Sequence, residues 1–340
     1  MLMTKIAVLG AGSIGCFVAG CMLSVMRQGD STVQITLIGR ERLQHDIQTN
    51  GITVTDFKGR SQHIAHELIQ YRTDHHSLTD ADFILLCVKS QDTAHAAAVI
   101  KQFANPTATI VSLQNGVSNA QTLSQLLTQP VIKGMVPFNV FYQGKGHFHC
   151  GTEGDIAIED PNGRCQPLVH LLSKASLPVS IYQDLTGVQY AKLIMNLNNA
   201  VNALSGLPLK AQLGNRQYRL VMAKVLSEAL AVFSAAGIKP VRTGKVIPKL
   251  MPIIMLLPNF LFNIVAASTL KIDPQARSSM YEDLMLGRRT EIDFLNGEIV
   301  RLGKQYHVKT PVNNHLVSLV KAAEAENRGG PNLAANQLLP

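Results

Sequence analysis

Short, almost wholly apolar runs recur through the first half of the chain, separated by polar segments and turn residues. The runs cover residues 6–9, 34–38, 81–88, 109–113 and 131–136. Apolar runs of this length, bounded by turn residues, are typical of strands buried on both faces of a parallel sheet. The segments between them include helical stretches such as 16–23 and 94–103. The pattern therefore predicts a doubly wound α/β sheet.

Two weaker stretches accompany this pattern. A polar meander between residues 52 and 71 predicts a local β excursion, because its apolar positions alternate. Strands near 146–150, 156–158 and 179–181 lie in turn-rich sequence, and we expect them to be antiparallel and to complete the first domain.

The pattern changes near residue 185, where long helices replace the strands. Apolar positions recur at helical spacing over 187–204 and 217–236, and another helical region opens near Arg277. The change predicts an α/β domain over residues 1–184 and an all-α domain over 185–325. The last stretch, 326–340, is rich in Asn, Gly and Pro, and we expect a loose tail.

The composition narrows the class of protein. The chain has 340 residues, of which 46% are hydrophobic and 16% charged, with a formal net charge of +8. Its Lys and Arg residues are scattered without a basic run, which argues against nucleic-acid binding. The positive charge is consistent with attraction of small anionic ligands, and a chance surplus of surface charge is the alternative. The five cysteines are odd in number and show no metal-binding spacing, which fits reduced thiols in the cytoplasm.

One long apolar region, residues 246–272, raises the question of a membrane. Pro248, Pro252 and Pro258 interrupt it, whereas a spanning helix needs about 20 largely uninterrupted apolar residues. We expect buried helices at a domain or subunit interface, and we leave a homodimer open. The first strand follows Met1 so closely that we expect no signal peptide and a cytoplasmic protein.

The turn Gly10-Ala11-Gly12-Ser13-Ile14-Gly15 follows the first strand and opens the first helix. Strand, G-x-G-x-x-G and helix together form the dinucleotide-binding fingerprint of a Rossmann-like domain. Its glycines allow the tight turn, the approach of a pyrophosphate and close packing of helix on strand. We expect Gly10, Gly12, Ser13, Ile14 and Gly15 to bind the cofactor, since the free N–H groups of the helix favour an anion.

Other strand ends supply further cofactor contacts. Arg40 closes the second strand, where an acidic residue would accept a bond from the ribose of NAD. A guanidinium instead holds a 2′-phosphate, which favours NADP; an exposed strand-end charge is the alternative. Lys89 and Asn115 follow two later strands, so both are predicted at the ligand edge of the sheet.

The first helix of the second half carries unexpected polar residues. Lys192, Asn196 and Asn199 fall within about 60° of one another at 100° per residue, whereas Asn198 and Asn202 lie off that face. Buried amides without partners cost about 1–3 kcal/mol each. The stripe therefore needs a polar ligand, which we favour, or hydrogen bonds to another helix.

Together these stretches resemble the ketopantoate reductase (2-dehydropantoate 2-reductase) family over nearly the whole chain. The resemblance is carried by 10–15, Arg40, 88–90, 113–116, Lys192 with its asparagines, 278–280, 289–291, 296–297 and 310–313. It implies NADPH-dependent reduction of 2-dehydropantoate to (R)-pantoate, a step of pantothenate and coenzyme A biosynthesis. A related 2-keto acid reductase, an opine-type dehydrogenase and an NADP-sensing protein without turnover are the alternatives.

The resemblance also implies individual roles. Lys192 would donate the proton, Glu291 would work beside it, and Ser279 would meet the substrate carboxylate. Asn115, Asn196 and a second helix asparagine would hold the rest of the substrate. The family places that second asparagine eight residues after the lysine, where this chain has Ala200, so Asn198, Asn199 and Asn202 stay open as its substitute. If one straight helix joined them, Ser279 and Glu291 would lie about 18 Å apart, so we expect a kink near Gly287 or a helix that lies along the cleft.

Overall fold

The computed structural model describes residues 3–26, 32–242, 246–267 and 275–340. The chain divides into two compact units, Met1–Leu185 and Thr186–Pro340.

The first unit is an α/β unit with an eight-stranded sheet. Its strands are β1 (Thr4–Leu9), β2 (Val33–Ile38), β3 (Ile52–Asp56), β4 (Ser61–Ile64), β5 (Gln70–Arg72), β6 (Phe83–Leu86), β7 (Thr109–Ser112), β8 (Val131–Met135), β9 (Val140–Tyr142), β10 (His147–Cys150), β11 (Ile156–Glu159) and β12 (Val179–Tyr182). Its helices are α1 (Ser13–Ser24), α2 (Glu41–Asn50), α3 (Thr93–Phe103), α4 (Asn119–Leu126) and α5 (Gln166–Lys174). The main sheet has the order β12-β11-β8-β7-β6-β1-β2-β5.

Both faces of this sheet are covered, as the apolar runs predict. In β1, Ile6 and Val8 belong to one buried cluster, with residues of α1 and α5. Ala7 and Leu9 belong to a second cluster, with residues of α3 and α4. Because successive side chains of a strand point to opposite faces, a continuous apolar run is what a covered parallel strand requires. The predicted α/β class of this half is confirmed.

The predicted local β excursion is in part a separate sheet. Strands β4, β3, β10 and β9 form a four-stranded sheet, whereas β5 joins the edge of the main sheet beside β2. Three strands near the end of the unit were expected to be antiparallel. Strand β10 is antiparallel to β9 but parallel to β3, and β11 is antiparallel to β8. Strand β12 is parallel to β11, so the expectation is wrong for it. Parallel neighbours need a crossover connection, and α5 between β11 and β12 supplies it.

The second unit is helical throughout its described part. Its helices are α6 (Thr186–Asn196), α7 (Asn198–Ser205), α8 (Leu209–Gly214), α9 (Arg216–Ala235), α10 (Met251–Leu256), α11 (Asn259–Val265), α12 (Ser279–Met285), α13 (Asn296–Gln305) and α14 (Pro311–Glu326). Helix α9 contacts α7, α8, α10, α13 and α14, so it is the centre of the unit. The helix predicted over 187–204 is present as α6 and α7. Leu197 joins them in helical conformation, with φ −59° and ψ −24°, and its N–H donates to the carbonyl of Leu193 at 3.0 Å.

The C-terminal stretch is not loose, so that prediction is wrong. The hydroxyl of Tyr218 donates to the carbonyl of Leu333 at 2.8 Å, and the N–H of Leu333 donates to the carbonyl of Leu204 at 2.8 Å. Ala335–Leu338 form a 3₁₀ turn whose Ala335 and Leu338 side chains are buried. These two apolar anchors outweigh the turn-rich composition.

The apolar region after residue 246 is largely exposed in a single chain; residues 268–272 lie outside the described part. Large side chains of α10 and α11 face solvent in this chain, including Ile253 (60% exposed), Phe260 (66%) and Ile264 (70%). These faces are not buried within one chain, and the expectation that they are covered at a subunit interface stays a prediction. Within the described ranges, no helix combines the length and apolar character needed to span a bilayer.

Candidate active site

The glycine turn divides into two glycines that the fold requires and one that it does not. Gly10 has φ +102°, and a Cβ there would lie 2.5 Å from the backbone nitrogen of Val88. A Cβ on Gly15 would lie 2.5 Å from the carbonyl oxygen of Gly10. A Cβ on Gly12 would meet no atom within 4 Å, and Gly12 is exposed. Packing therefore does not explain the glycine at position 12. A ligand phosphate that comes close to the backbone would explain it, because a Cβ would block that approach.

Gly12 also precedes a helix with an open N-terminus. Helix α1 begins at Ser13, and no side chain caps its first turn. The first N–H groups of a helix lack internal partners and carry the positive end of its dipole, so they favour an anion. Ser13 and Ile14 are partly exposed at this point. The turn thus offers space and donors for a phosphate group.

Arg40 lies at the junction between β2 and α2. It is the residue before the first turn of α2, and its side chain is exposed. Its backbone is fixed, since the hydroxyl of Tyr71 donates to its carbonyl at 3.1 Å. Gly39 is needed for this contact, because a Cβ there would collide with the Tyr71 hydroxyl. The chain therefore holds an exposed guanidinium at the carboxyl end of β2.

Lys89 and Asn115 follow β6 and β7, which are neighbours in the sheet, and both are partly buried. A buried polar network holds the two loops together. The hydroxyl of Ser90 donates to the Asn115 carbonyl at 2.8 Å, and the Asn119 amide donates to the same carbonyl. The Asn119 amide also donates to the Ser90 hydroxyl at 3.1 Å.

The same network extends into the start of α3. The Gln114 amide donates to the Thr93 hydroxyl at 2.8 Å, and that hydroxyl donates to the Asn119 amide oxygen at 3.0 Å. Sequence reasoning missed Thr93, Gln114 and Asn119. Their partners lie 21 and 26 residues apart, so no local periodicity reveals them. The network fixes two loops at the ligand edge of the sheet.

Lys192 is the most perturbed cation in the described part of the helical unit. Burial lowers the pKa of its ammonium to about 8, while the negative charge of Glu291 acts in the opposite direction. Lys192 lies on α6, and Glu291 precedes the 3₁₀ turn Ile292–Phe294. The structure therefore couples these two charges within one unit. A lysine with a pKa near 8 exchanges its proton readily near neutral pH.

The asparagines of α6 and α7 have separate roles in the structure. Asn198 and Asn202 both hydrogen-bond to Gln212, at 3.2 and 3.3 Å. Asn196 and Asn199 are partly exposed, and within the described residues their side-chain amides have no hydrogen-bond partner. Asn196 and Asn199 are the two asparagines predicted to share the helix face of Lys192, and Leu197 between them is in helical conformation.

Ser279 and Glu291 do not lie on one straight helix. Helix α12 ends at Met285, and Gly287 has φ +60°, a left-handed conformation that reverses the chain. The N–H of Arg288 then donates to the carbonyl of Asp283 at 2.8 Å, which closes the turn. This agrees with the kink predicted near Gly287. Ser279 is exposed at the first position of α12.

Two of the motifs near the C-terminus hold the helices together. The carboxylate of Glu228 accepts from the N–H groups of Val312 (2.8 Å) and Asn313 (2.9 Å) at the start of α14. The amide nitrogen of Asn313 donates to the same carboxylate, and the amide oxygen of Asn313 accepts from the Asn296 amide at 3.1 Å. An acidic group at a helix N-terminus is stabilising. Asn296 and Asn313 therefore belong to the fold.

Comparison with known proteins places both units in one family. Residues 6–163 match the ketopantoate reductase PanE/ApbA family model, and residues 184–324 match the ketopantoate reductase PanE/ApbA C-terminal model. The 2-dehydropantoate 2-reductase of Pyrococcus horikoshii is 28% identical over 342 residues, which is 96% of this chain and 99% of that protein.

Solved structures agree with this assignment. A PanE/ApbA family ketopantoate reductase from Ralstonia eutropha is 31% identical, with a TM-score of 0.78 over 96% of this chain and 100% of the other. A dimeric ketopantoate reductase from Staphylococcus aureus has the same fold at 17% identity, with a TM-score of 0.69 over 95% of this chain and 99% of the other. The two family models and the Ralstonia eutropha structure together show that the chain belongs to the ketopantoate reductase family.

Proposed function

We propose that the protein catalyses the NADPH-dependent reduction of 2-dehydropantoate to (R)-pantoate, a step of pantothenate and coenzyme A biosynthesis. The observation that carries the proposal is Lys192, whose pKa burial lowers to about 8 beside the charge of Glu291. The site needs a proton donor that is charged at neutral pH yet close to releasing its proton. Family membership supplies the substrate class. We place the reaction in the cytoplasm, which the five free cysteines support.

The first unit has groups that fit NADPH. The open space beside Gly12 and the uncapped start of α1 would receive the pyrophosphate. The exposed guanidinium of Arg40 would hold the 2′-phosphate in a forked pair of hydrogen bonds. Lys89 and Asn115 would line the edge of the sheet beside the cofactor. When bound, NADPH supplies the hydride for the reduction.

The proton comes from the helical unit. As the ketone carbon gains hydride, negative charge grows on the carbonyl oxygen, and the Lys192 ammonium stabilises that charge. The ammonium then transfers one proton to the oxygen, which yields the alcohol and a neutral amine. A positioned acid contributes roughly 10²–10⁴-fold to the rate. Glu291 keeps Lys192 protonated, because its charge opposes the effect of burial.

The remaining polar groups orient the substrate. Asn196 and Asn199 have amides that no described residue engages, so they would hydrogen-bond the hydroxyl and carbonyl side of the 2-keto acid. The exposed hydroxyl of Ser279 would meet the carboxylate. Asn199 takes the role of the asparagine that Ala200 replaces, because Asn198 and Asn202 are bonded to Gln212.

The activity is tested by the decay of NADPH absorbance when 2-dehydropantoate is added. We expect turnover with this keto acid to exceed turnover with a panel of other branched 2-keto acids, with or without an amine partner. Faster turnover of another acid would reassign the substrate within the family. Turnover that requires an amine would favour an opine-type dehydrogenase. NADPH binding without any turnover would favour a sensing role.

We also propose that the chain forms a homodimer through the apolar face of α10 and α11. The exposed side chains Phe260, Leu261, Ile264 and Val265 share one side of α11, while Phe262 is buried on the other. Residues 250–267 contain no charged side chain. A helix that lies on a membrane surface carries Lys and Arg on its polar side. A second copy presents the same uncharged face, so pairing buries no lone charge.

The assembly is tested by sedimentation of the wild type and the Ile264→Glu variant. We expect a dimer that Ile264→Glu converts to a monomer, because the new carboxylate would be buried unpaired. Ile181→Glu changes an exposed isoleucine of the first unit (40% exposed) and is the control that stays dimeric. A monomeric wild type, or a variant that remains dimeric, would rule out this interface. Binding of the wild type to lipid vesicles would assign the face to a membrane instead.

A further inference from the structure

The segment before α12 is fastened to the connection between α7 and α8. The carbonyl of Ala276 accepts from the N–H of Leu209 at 2.8 Å. The guanidinium of Arg277 donates to the carbonyl of Gly206 and lies 4.4 Å from the ring centroid of Tyr281. Ala276 and Arg277, the two residues that precede Ser278, are thus both held in place.

Ser278 is held by both its backbone and its side chain. Its N–H donates to the amide oxygen of Asn202 at 2.9 Å, and its hydroxyl donates to the carbonyl of Asn199 at 3.2 Å. The same hydroxyl accepts from the N–H of Tyr281 at 3.2 Å, so Ser278 caps α12. Hydrogen bonds to α7 and to the first turn of α12 therefore fix both the backbone and the side chain of Ser278.

Asn202 is the residue on which this arrangement depends. It is fully buried, and its amide nitrogen donates to the carbonyl of Leu207 at 2.9 Å and to Gln212 at 3.3 Å. Gln212 is also fully buried and donates in turn to the amide oxygen of Asn198 at 2.8 Å. Asn198, Asn202 and Gln212 thus hydrogen-bond one another. The amide oxygen of Asn202 is the acceptor that this network leaves over, and it accepts from the N–H of Ser278.

We propose that Asn202, supported by Gln212, is a positioning residue that sets the hydroxyl of Ser279 for the substrate carboxylate. This inference rests on the proposed function, in which Ser279 contacts substrate. Ser279 is exposed, and no described side chain bonds its hydroxyl, so the backbone of Ser278 fixes where it lies. A binding group must be held within about 0.5 Å of its productive position. The buried amide of Asn202 thus fixes Ser278, the residue next to the proposed binding group of Ser279.

The test compares Asn202→Ala with Asn313→Ala. Asn313 is the matched control, because it is also fully buried in the same unit and bonds elsewhere, to Glu228 and to Val225. We expect both variants to melt at a lower temperature. Only Asn202→Ala should raise the KM for 2-dehydropantoate, by about tenfold or more. That factor corresponds to loss of the hydrogen bond between the Ser279 hydroxyl and the charged substrate carboxylate. The Kd for NADPH should not change in either.

Ser279→Ala separates the failure of this inference from the failure of the proposed function. We expect Ser279→Ala to raise KM, and Asn202→Ala to raise it no further in the double variant, since both act on one contact. If Ser279→Ala leaves KM unchanged, the proposed carboxylate contact is wrong. If Ser279→Ala raises KM while Asn202→Ala behaves like Asn313→Ala, Asn202 has no positioning role.

A milder variant covers the case in which Asn202→Ala does not fold. Gln212→Met removes the partner of Asn202 and Asn198 but keeps the volume of the side chain. We expect KM to rise by a smaller factor than in Ser279→Ala, again with unchanged NADPH affinity. An unchanged KM in a folded Gln212→Met protein would contradict the proposal.

Discussion

The glycine turn of the first unit and the asparagine-rich stretch of the second both divide into residues that the fold uses and residues that it leaves available. In the turn, Gly10 and Gly15 are required by close packing, and Gly12 is not. In the stretch, Asn202 is committed to internal bonds, and Asn199 is not. The difference is that the turn can be interpreted from local spacing, whereas the stretch cannot, because its partners are distant in sequence.

The largest expected effect lies in the helical unit. Replacing Lys192 by Ala removes the proton donor, so we expect kcat to fall by roughly 10²–10⁴-fold. NADPH affinity should stay the same, because the proposed cofactor contacts are in the other unit. Lys224→Ala, an exposed lysine of α9, is the control and should keep full activity. Steady-state kinetics measure both variants, and retained turnover in Lys192→Ala would remove the assigned role.

The next effect belongs to the first unit. Arg40→Ala should weaken NADPH binding by about 10–100-fold, which corresponds to the 1.5–3 kcal/mol of a hydrogen bond to a charged group. NADH lacks the 2′-phosphate, so its affinity should hardly change. Fluorescence titration measures both affinities. Arg164→Ala, an exposed arginine of the same unit, should alter neither. Equal weakening of NADPH and NADH would contradict the phosphate contact.

A pair of glycine variants sharpens the division within the turn. Gly10→Ala should lower the melting temperature, because φ is +102° and the new Cβ would lie 2.5 Å from Val88. Gly12→Ala should leave stability within about 1 kcal/mol, as for an exposed position with open space, yet it should weaken NADPH binding. Thermal melts with and without NADPH measure both effects. A Gly12→Ala protein that binds NADPH normally would show that Gly12 serves no ligand.

The smallest effect is a shift of pH dependence. Glu291 raises the pKa of Lys192, so Glu291→Gln should lower that pKa below its value of about 8. The reduction needs the protonated amine, so kcat is lost as pH rises through the pKa. The variant should therefore lose activity at a lower pH than the wild type does. Rate–pH profiles measure this, and an unmoved or upward-shifted profile would show that Glu291 does not act on Lys192.

The sequence was enough to predict the features that depend on short-range pattern. The buried strands, the glycine turn and the turn at Gly287 follow from residues close together in the chain. The packed C-terminal stretch and the partners of Asn202 were not predictable. Leu333 is held by Tyr218, and Asn202 by Gln212 and Ser278, and contacts across such distances leave no periodic signal.

The most direct test of the central claim is the pH dependence of kcat for 2-dehydropantoate reduction in the wild type and in Lys192→Arg. The wild type should lose activity as pH rises through about 8, because burial lowers the pKa of the Lys192 ammonium to that value. An arginine stays protonated throughout this range, so Lys192→Arg should retain a low activity without that decline. A decline near pH 8 that persists in Lys192→Arg would contradict the account.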